Sequence, residues 1–161
     1  MFWPESRMRM STVGFEHVFK LAVRISLDGL DLTVSSLPVL ALLKIAAFSD
    51  RPERKKDLAD FRWLLERYEA ENDDRLYSDP VLDAQIEFDA APAFLLGLDL
   101  GTICTSSDAQ LVRTFLEAIG EEGHAWIALL GPVLLDRERQ EQDLRKKLDA
   151  FKQGFQTAGS Q

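Results

Sequence analysis

The stretch Ser35–Leu65, SSLPVLALLKIAAFSDRPERKKDLADFRWLL, decides how this chain folds. From Leu37 to Phe48 every residue is apolar or proline except Lys44. Ser35 or Ser36 can cap, and Pro38 can open, a helix running to about Phe48. A helix that is apolar nearly all round belongs at the centre of a fold. Pro52 then disfavours helical geometry at Arg51 and suits the start of a second helix, about Glu53 to Glu71. Its apolar stripe is Leu58, Phe61, Leu65 and Tyr68, flanked by Trp63 and Leu64. Two antiparallel helices joined by SDRPER bring Asp57 and Asp60, three apart on one face, near Lys44. An unpaired ammonium in an apolar setting costs on the order of several kcal/mol. The plain reading of Lys44 is therefore a snorkelled lysine or an ion pair. The functional alternative is a lysine that faces a cleft and grips an anion such as a triphosphate.

Upstream, LAVRISL-DG-LDLTVSS reads as a β-hairpin closed by Asp28-Gly29 in a type I′ turn, because both residues tolerate positive φ. Counting outward pairs Leu27 with Leu30, Ile25 with Leu32 and Val23 with Val34, all apolar and on one face. Arg24, Ser26, Asp31 and Thr33 take the other. A lone hairpin is marginal in water, so the oily face is expected to pack on helices or further strands. A short helix in VGFEHVFKLA leads into it. Downstream, Asp79-Pro80 starts a helix in VLDAQIEF. APAFLLGLDLGTIC is a helix weakened by Gly97 and Gly101. TSSDAQLVRTFLEAIG follows, with Ser107 and Gln110 at capping-box spacing and Gly120 as the stop. HAWIALLG forms a short apolar helix. The last helix, DRERQEQDLRKKLDAFKQGF, carries a Leu144, Leu148, Phe151, Phe155 stripe, and TAGSQ frays. The expected fold is α+β and predominantly helical. One domain spans residues 1–161, with a hairpin at 21–35 packed on a helical bundle at 37–157.

The 161 residues suffice for one domain with a real core. At 46% hydrophobic and 29% charged, the chain is globular rather than disordered. Its 19 basic and 27 acidic residues give a net charge of −8, which argues against coating nucleic acid or an anionic membrane. The longest apolar run is too short to span a bilayer. With Cys104 as the single cysteine, no intrachain disulfide can form, so a reducing, cytoplasmic setting is expected.

Arg51, Arg54, Lys55 and Lys56 form a basic cluster at the start of the second helix, where the dipole favours acids. The plain reading of such a run is a solvated helix start; phosphate contact is the functional alternative to which the misfit points. His17 and His124 show no metal-ligand spacing and read as satisfied or surface histidines. Cys104 reads as a buried thiol. Glu87 and Asp89 read as the exposed end of a helix. No G-x-G-x-x-G, Walker A, H-E-x-x-H or C-x-x-C motif occurs.

Three segments together carry a family resemblance: WPESRMRMSTVGFEHVFKLA (3–22), LTVSSLPVLALLKIAAFSDRPERKKDLADFRWLLERY (32–68) and APAFLLGLDLG (91–101). They resemble the latter part of the AbiEii/AbiGii-type nucleotidyltransferases of the DNA polymerase β-like superfamily, many of which are toxins of toxin–antitoxin or abortive-infection systems. The resemblance implies that Lys44, Ser49 and Arg51 contact nucleotide phosphates, following a K-x4-[ST]-R-like motif with Asp50 intervening. The resemblance also implies that Asp57 and Asp60 stand where a D-x3-D motif supports that lysine or the nucleotide-side chemistry, here as D-x2-D. A complete family member implies NTP and Mg²⁺, the latter held by two or three carboxylates on adjacent strands beside a Gly-Ser turn. No D-x-D occurs in this sequence, and the only Gly-Ser pair is Gly159-Ser160.

The resemblance therefore implies the C-terminal, helical portion of a nucleotidyltransferase from a truncated, split or shortened gene. No catalytic or metal-binding residues, no tightly held cofactor and no activity are expected of the chain alone. An antitoxin or a separate polypeptide bearing the catalytic strands is the implied partner, with nucleic acid only as an acceptor substrate and no membrane. The alternative is a non-catalytic interaction module whose hairpin face and Leu144–Phe155 stripe bind a partner or, as a homo-oligomer, a second copy of the chain. A nucleotide sensor using Lys44 and Arg51 is the third reading.

Overall fold

The computed structural model describes residues 2–3, 8–9, 12–69, 73–120, 124–132 and 136–159. Strands β1 (Phe2–Trp3) and β2 (Met8–Arg9) pair antiparallel, and helix α1 (Phe15–Lys20) leads into the hairpin β3 (Ala22–Leu27) and β4 (Leu30–Ser35). Then come α2 (Leu37–Asp50), α3 (Lys55–Arg67), α4 (Asp73–Leu76), α5 (Asp79–Asp83) and a 3₁₀ turn at Phe88–Ala90. Helices α6 (Ala91–Ile103), α7 (Ser106–Gly120), α8 (His124–Leu130) and α9 (Arg137–Ala158) complete the described chain. The fold is α+β and predominantly helical, as expected.

The hairpin has the expected register, Val23 with Val34, Ile25 with Leu32 and Leu27 with Leu30. Asp28 and Gly29 both take positive φ, 51° and 80°, as a type I′ turn requires. Its surroundings differ from expectation. The apolar face is open to solvent: Leu32 is 39% exposed, Ile25 42%, Val23 44%, Leu27 57% and Leu30 65%. Helix α1, which touches β3, adds the exposed rings of Phe15 and Phe19. No hairpin residue belongs to the core that the helices form among themselves.

Two helices that are apolar nearly all round, α2 and α6, lie inside the bundle. Around them the stripes of α3, α7 and α9 close a single core, with Phe61 at its middle. The Phe61 ring meets Phe115 edge-on at 5.0 Å and Phe151 edge-on at 5.4 Å, and Phe48 meets Phe115 at 5.7 Å. Leu144, Leu148, Phe151 and Phe155 are all buried here. The α9 stripe is thus core, not a surface for a partner.

The glycines expected to weaken α6 are what let it pack. A Cβ on Gly97 would lie 2.1 Å from the Phe151 carbonyl oxygen, and one on Gly154 would lie 2.1 Å from that of Phe94. Helices α6 and α9 therefore meet backbone to backbone, an approach that only glycine permits.

Several boundaries differ from the sequence reading. Helix α3 ends at Arg67, where Tyr68 turns extended and donates its hydroxyl to Asp99; the expected extension reaches residues 70 and 71, outside the described residues. The helix from Asp79 stops at Asp83. Gln85 takes φ 55° and the Ile86 N–H closes on the Val81 carbonyl, a Schellman-type ending built on glutamine. The capping box of α7 is Thr105–Asp108 rather than Ser107–Gln110. Thr105 Oγ1 accepts from the Asp108 N–H at 3.3 Å, and Asp108 Oδ2 accepts from the Thr105 N–H at 2.9 Å. Glu87 and Asp89 are exposed, as expected, but they lie past the end of α5, at the 3₁₀ turn, and both carboxylates hold Lys146 Nζ, at 2.5 and 2.7 Å. Of the expected fraying tail, Ser160 and Gln161 lie outside the described residues. Among the described residues, no helix is long and apolar enough to cross a membrane.

Candidate functional site

The break at SDRPER turns α3 back along α2 and brings together the lysine and acids singled out in the sequence. Lys44 Nζ lies 2.5 Å from Asp60 Oδ2 and 3.4 Å from Asp57 Oδ1. The lysine side chain is 22% exposed, Asp60 37% and Asp57 only 3%. Burial works to lower the Lys44 pKa, but hydrogen bonds and charge from Asp60 and Asp57 outweigh it and hold the ammonium above the usual lysine value. Asp57 Oδ2 is buried without a hydrogen bond and faces only the charge of Arg54, whose Nε lies 3.3 Å away. Asp57 also sits in the first turn of α3, where its charge suits the helix dipole and offsets the neighbouring Lys55 and Lys56.

The rest of the motif does not converge on this ammonium. Ser49 follows Lys44 by five residues on one helix, which places it about 140° away around the axis. Its Oγ donates back to the Ile45 carbonyl at 2.9 Å. Arg51 lies beyond the last turn of α2, as its C-cap. Lys44 is saturated by two carboxylates, so a phosphate would have to displace them. Nor do Asp57 and Asp60 suit the paired Mg²⁺ ions of nucleotidyl transfer: both sit on one helix around a lysine instead of on adjacent strands. No metal-dependent step follows from this donor set.

Other polar clusters went unread in the sequence. His17 is buried and its Nε2 meets Asp108 Oδ2 at 2.9 Å, tying α1 to the start of α7. Burial works to raise the Asp108 pKa, yet hydrogen bonds from Thr105 and His17 bring it below the usual aspartate value. Glu16 joins these two in the one group of three metal-capable side chains found among the described residues. The capping box and the His17 contact already account for the carboxylate. Arg75 holds Asp99 with two bonds of 2.8 Å, while Tyr68 Oη donates to the same carboxylate at 2.5 Å. This network pins the chain after α3 onto α6. Arg62 donates to the Leu130 carbonyl and so satisfies the end of α8.

A cleft of about 900 Å³ opens between the C-terminal end of α6, α7 and α9, away from the lysine clamp. None of Lys44, Ser49, Arg51, Asp57 and Asp60 lines it. Cys104 does, and burial, reinforced by the charge of Asp108, pushes its thiol up to about 12. Where the sequence reads as a buried thiol, Cys104 is partly buried and opens on the cleft; its low thiolate fraction makes it a slow nucleophile that a thiol reagent still reaches. Comparison with protein-family models, with curated proteins and with solved structures finds no match.

Proposed function

We propose that this chain is a non-catalytic helical interaction module, akin to the helical half of a nucleotidyltransferase, whose hairpin docks on the sheet of a strand-bearing polypeptide. One observation carries the reading: a hairpin in good register holds five large apolar side chains of one face 39–65% exposed. Monomeric proteins rarely leave a contiguous apolar patch without use. Both outer edges of the two-stranded ribbon are unpaired within the described sheet, so either can add to a partner's strands. The apolar face bears no charge, so a chain of net charge −8 can present it without electrostatic penalty. The sequence resemblance names the partner's class, a polypeptide that carries the Gly-Ser turn and the metal-binding carboxylates. Lys44, Asp57 and Asp60 then serve as a clamp that fixes the α2–α3 corner.

The test begins with the DNA flanking this reading frame. A polypeptide encoded there with Gly-Ser and D-x-D segments is co-expressed with the chain and followed by sedimentation velocity. A one-to-one complex is expected, and it should be lost in the Ile25→Thr/Leu32→Thr variant, whose β-branched threonines suit the strands. Absence of such a polypeptide, a chain that stays monomeric beside it, self-association in its place, or a complex indifferent to the substitutions overturns the reading. Transfer of label from NTP and Mg²⁺ by the isolated chain does so too.

A further inference from the structure

The cleft between α7 and α9 has the build of a ligand site unrelated to the hairpin. Its volume, about 900 Å³, falls in the range of small-molecule pockets. Leu116, Ile119, Trp126, Leu148 and Phe155 supply an apolar lining. Thr105 and Ser106 add hydroxyl groups where α7 begins.

Its charge runs against that of the molecule. Arg113 from α7 and Arg145 and Lys152 from α9 line the cleft, against the carboxylates of Glu117 and Asp149. Three cations to two acids leaves a positive balance in a chain of net charge −8. Arg145 Cζ lies over the Trp126 ring, 4.5 Å from its centroid, a cation–π contact at the wall of the cleft. Arg113 and Lys152 make no ion pair or hydrogen bond with any described residue, whereas Lys44, Arg62, Arg75, Lys146 and Lys147 all do. Two cations without a partner among the described residues, one from α7 and one from α9, line the same cleft as these apolar side chains and fit a molecule with an anionic head and a hydrocarbon body.

We propose that this cleft binds an amphipathic monoanion, an alkyl chain or ring system ending in a carboxylate, with the head between Arg113 and Lys152 and the apolar body against Trp126, Leu148 and Phe155. The guanidinium and the ammonium donate charge-assisted hydrogen bonds to the carboxylate, and the body gains from leaving water.

Two native reporters line the site, Trp126 and the single cysteine, Cys104. The full chain is titrated with decanoate, with decanol and with decyltrimethylammonium, each below its micelle concentration. Indole fluorescence and the rate of Cys104 labelling by a thiol reagent are followed at fixed pH. Decanoate is expected to saturate both signals with one affinity and to slow the labelling. Decanol should bind about tenfold more weakly, and the same loss should appear for decanoate in Arg113→Gln/Lys152→Gln. Both residues are exposed, so the variant keeps the fold. Absence of protection at millimolar decanoate overturns the proposal. So does equal or tighter binding of decanol or decyltrimethylammonium, or unchanged decanoate affinity in the double variant.

Discussion

Replacing Gly97 with alanine adds one methyl group where the backbones of α6 and α9 touch. That Cβ would lie 2.1 Å from the Phe151 carbonyl oxygen, 2.9 Å from its carbon and 2.9 Å from the Phe155 nitrogen. All three are backbone atoms, so no rotamer change relieves the clash. Reaching ordinary contact at 3.4 Å requires the backbones to part by about 1.3 Å. Alanine in place of glycine favours the helix by about 1 kcal/mol. Against this stand the strain of overpacking and the gaps opened around Phe94 and Phe151 as the helices separate. The net loss is about 2–4 kcal/mol, a fall in Tm of about 5–15 °C for a chain of this size. Urea and thermal melts of Gly97→Ala beside Gly120→Ala measure it. A Cβ at Gly120 meets nothing within 4 Å, so that control should hold or slightly raise stability. Gly154→Ala opens the same seam from the other helix, so the double variant should lose less than the two single losses combined. A Gly97→Ala protein within about 0.5 kcal/mol of wild type would refute backbone contact between α6 and α9.

The Lys44 clamp makes its own forecast. Lys44→Met leaves Asp57 buried beside Arg54 alone, and denaturant melts should show a loss of about 1–3 kcal/mol, reduced from the fully buried case by the partial exposure of Lys44 and Asp60. Adding Asp57→Asn should recover part of it. Because the folded-state pKa of Lys44 is raised, its contribution is complete below the ordinary 10.5 and disappears as pH climbs through the folded value; a Lys44→Met deficit that persists at higher pH speaks against the pairing. For Asp108, whose folded pKa is lowered, Asp108→Asn should cost about 1–2 kcal/mol at neutral pH, with the gap to wild type closing as pH drops below the ordinary 3.8. An unchanged acid limb contradicts that assignment. Tyr68→Phe should cost about 1 kcal/mol, because Arg75 still holds Asp99 with two bonds; a neutral melt would show that the Tyr68 contact contributes nothing.

Local chemistry made some of this legible from sequence. Asp28-Gly29 admits one hairpin register, and it is the one observed. Helical spacing put Asp57 and Asp60 on one face, and Pro52 put that face beside Lys44. What depends on a distant partner was not legible. Gly97 reads as a flaw in a helix until Gly154 and the backbone of Phe151 stand opposite it. Gln85 carries no mark of the left-handed helix ending that glycine would announce. His17 and Asp108, or Arg75 and Asp99, belong to elements that only the tertiary fold brings together. Apolar periodicity found both the hairpin face and the α9 stripe, yet periodicity cannot say which of them turns inward. Within the candidate site, the Lys44 contacts followed from spacing. The cleft did not, since its walls come from elements with no shared motif.

If the helices carry the stability and the hairpin awaits a partner, amide hydrogen exchange on the dilute, isolated chain separates the two directly. The β3 and β4 amides should then exchange through local opening at low free energy, while those of α6 and α9 exchange only with global unfolding. Hairpin amides protected as strongly as α6 would contradict this, because the ribbon would then be part of the cooperative core.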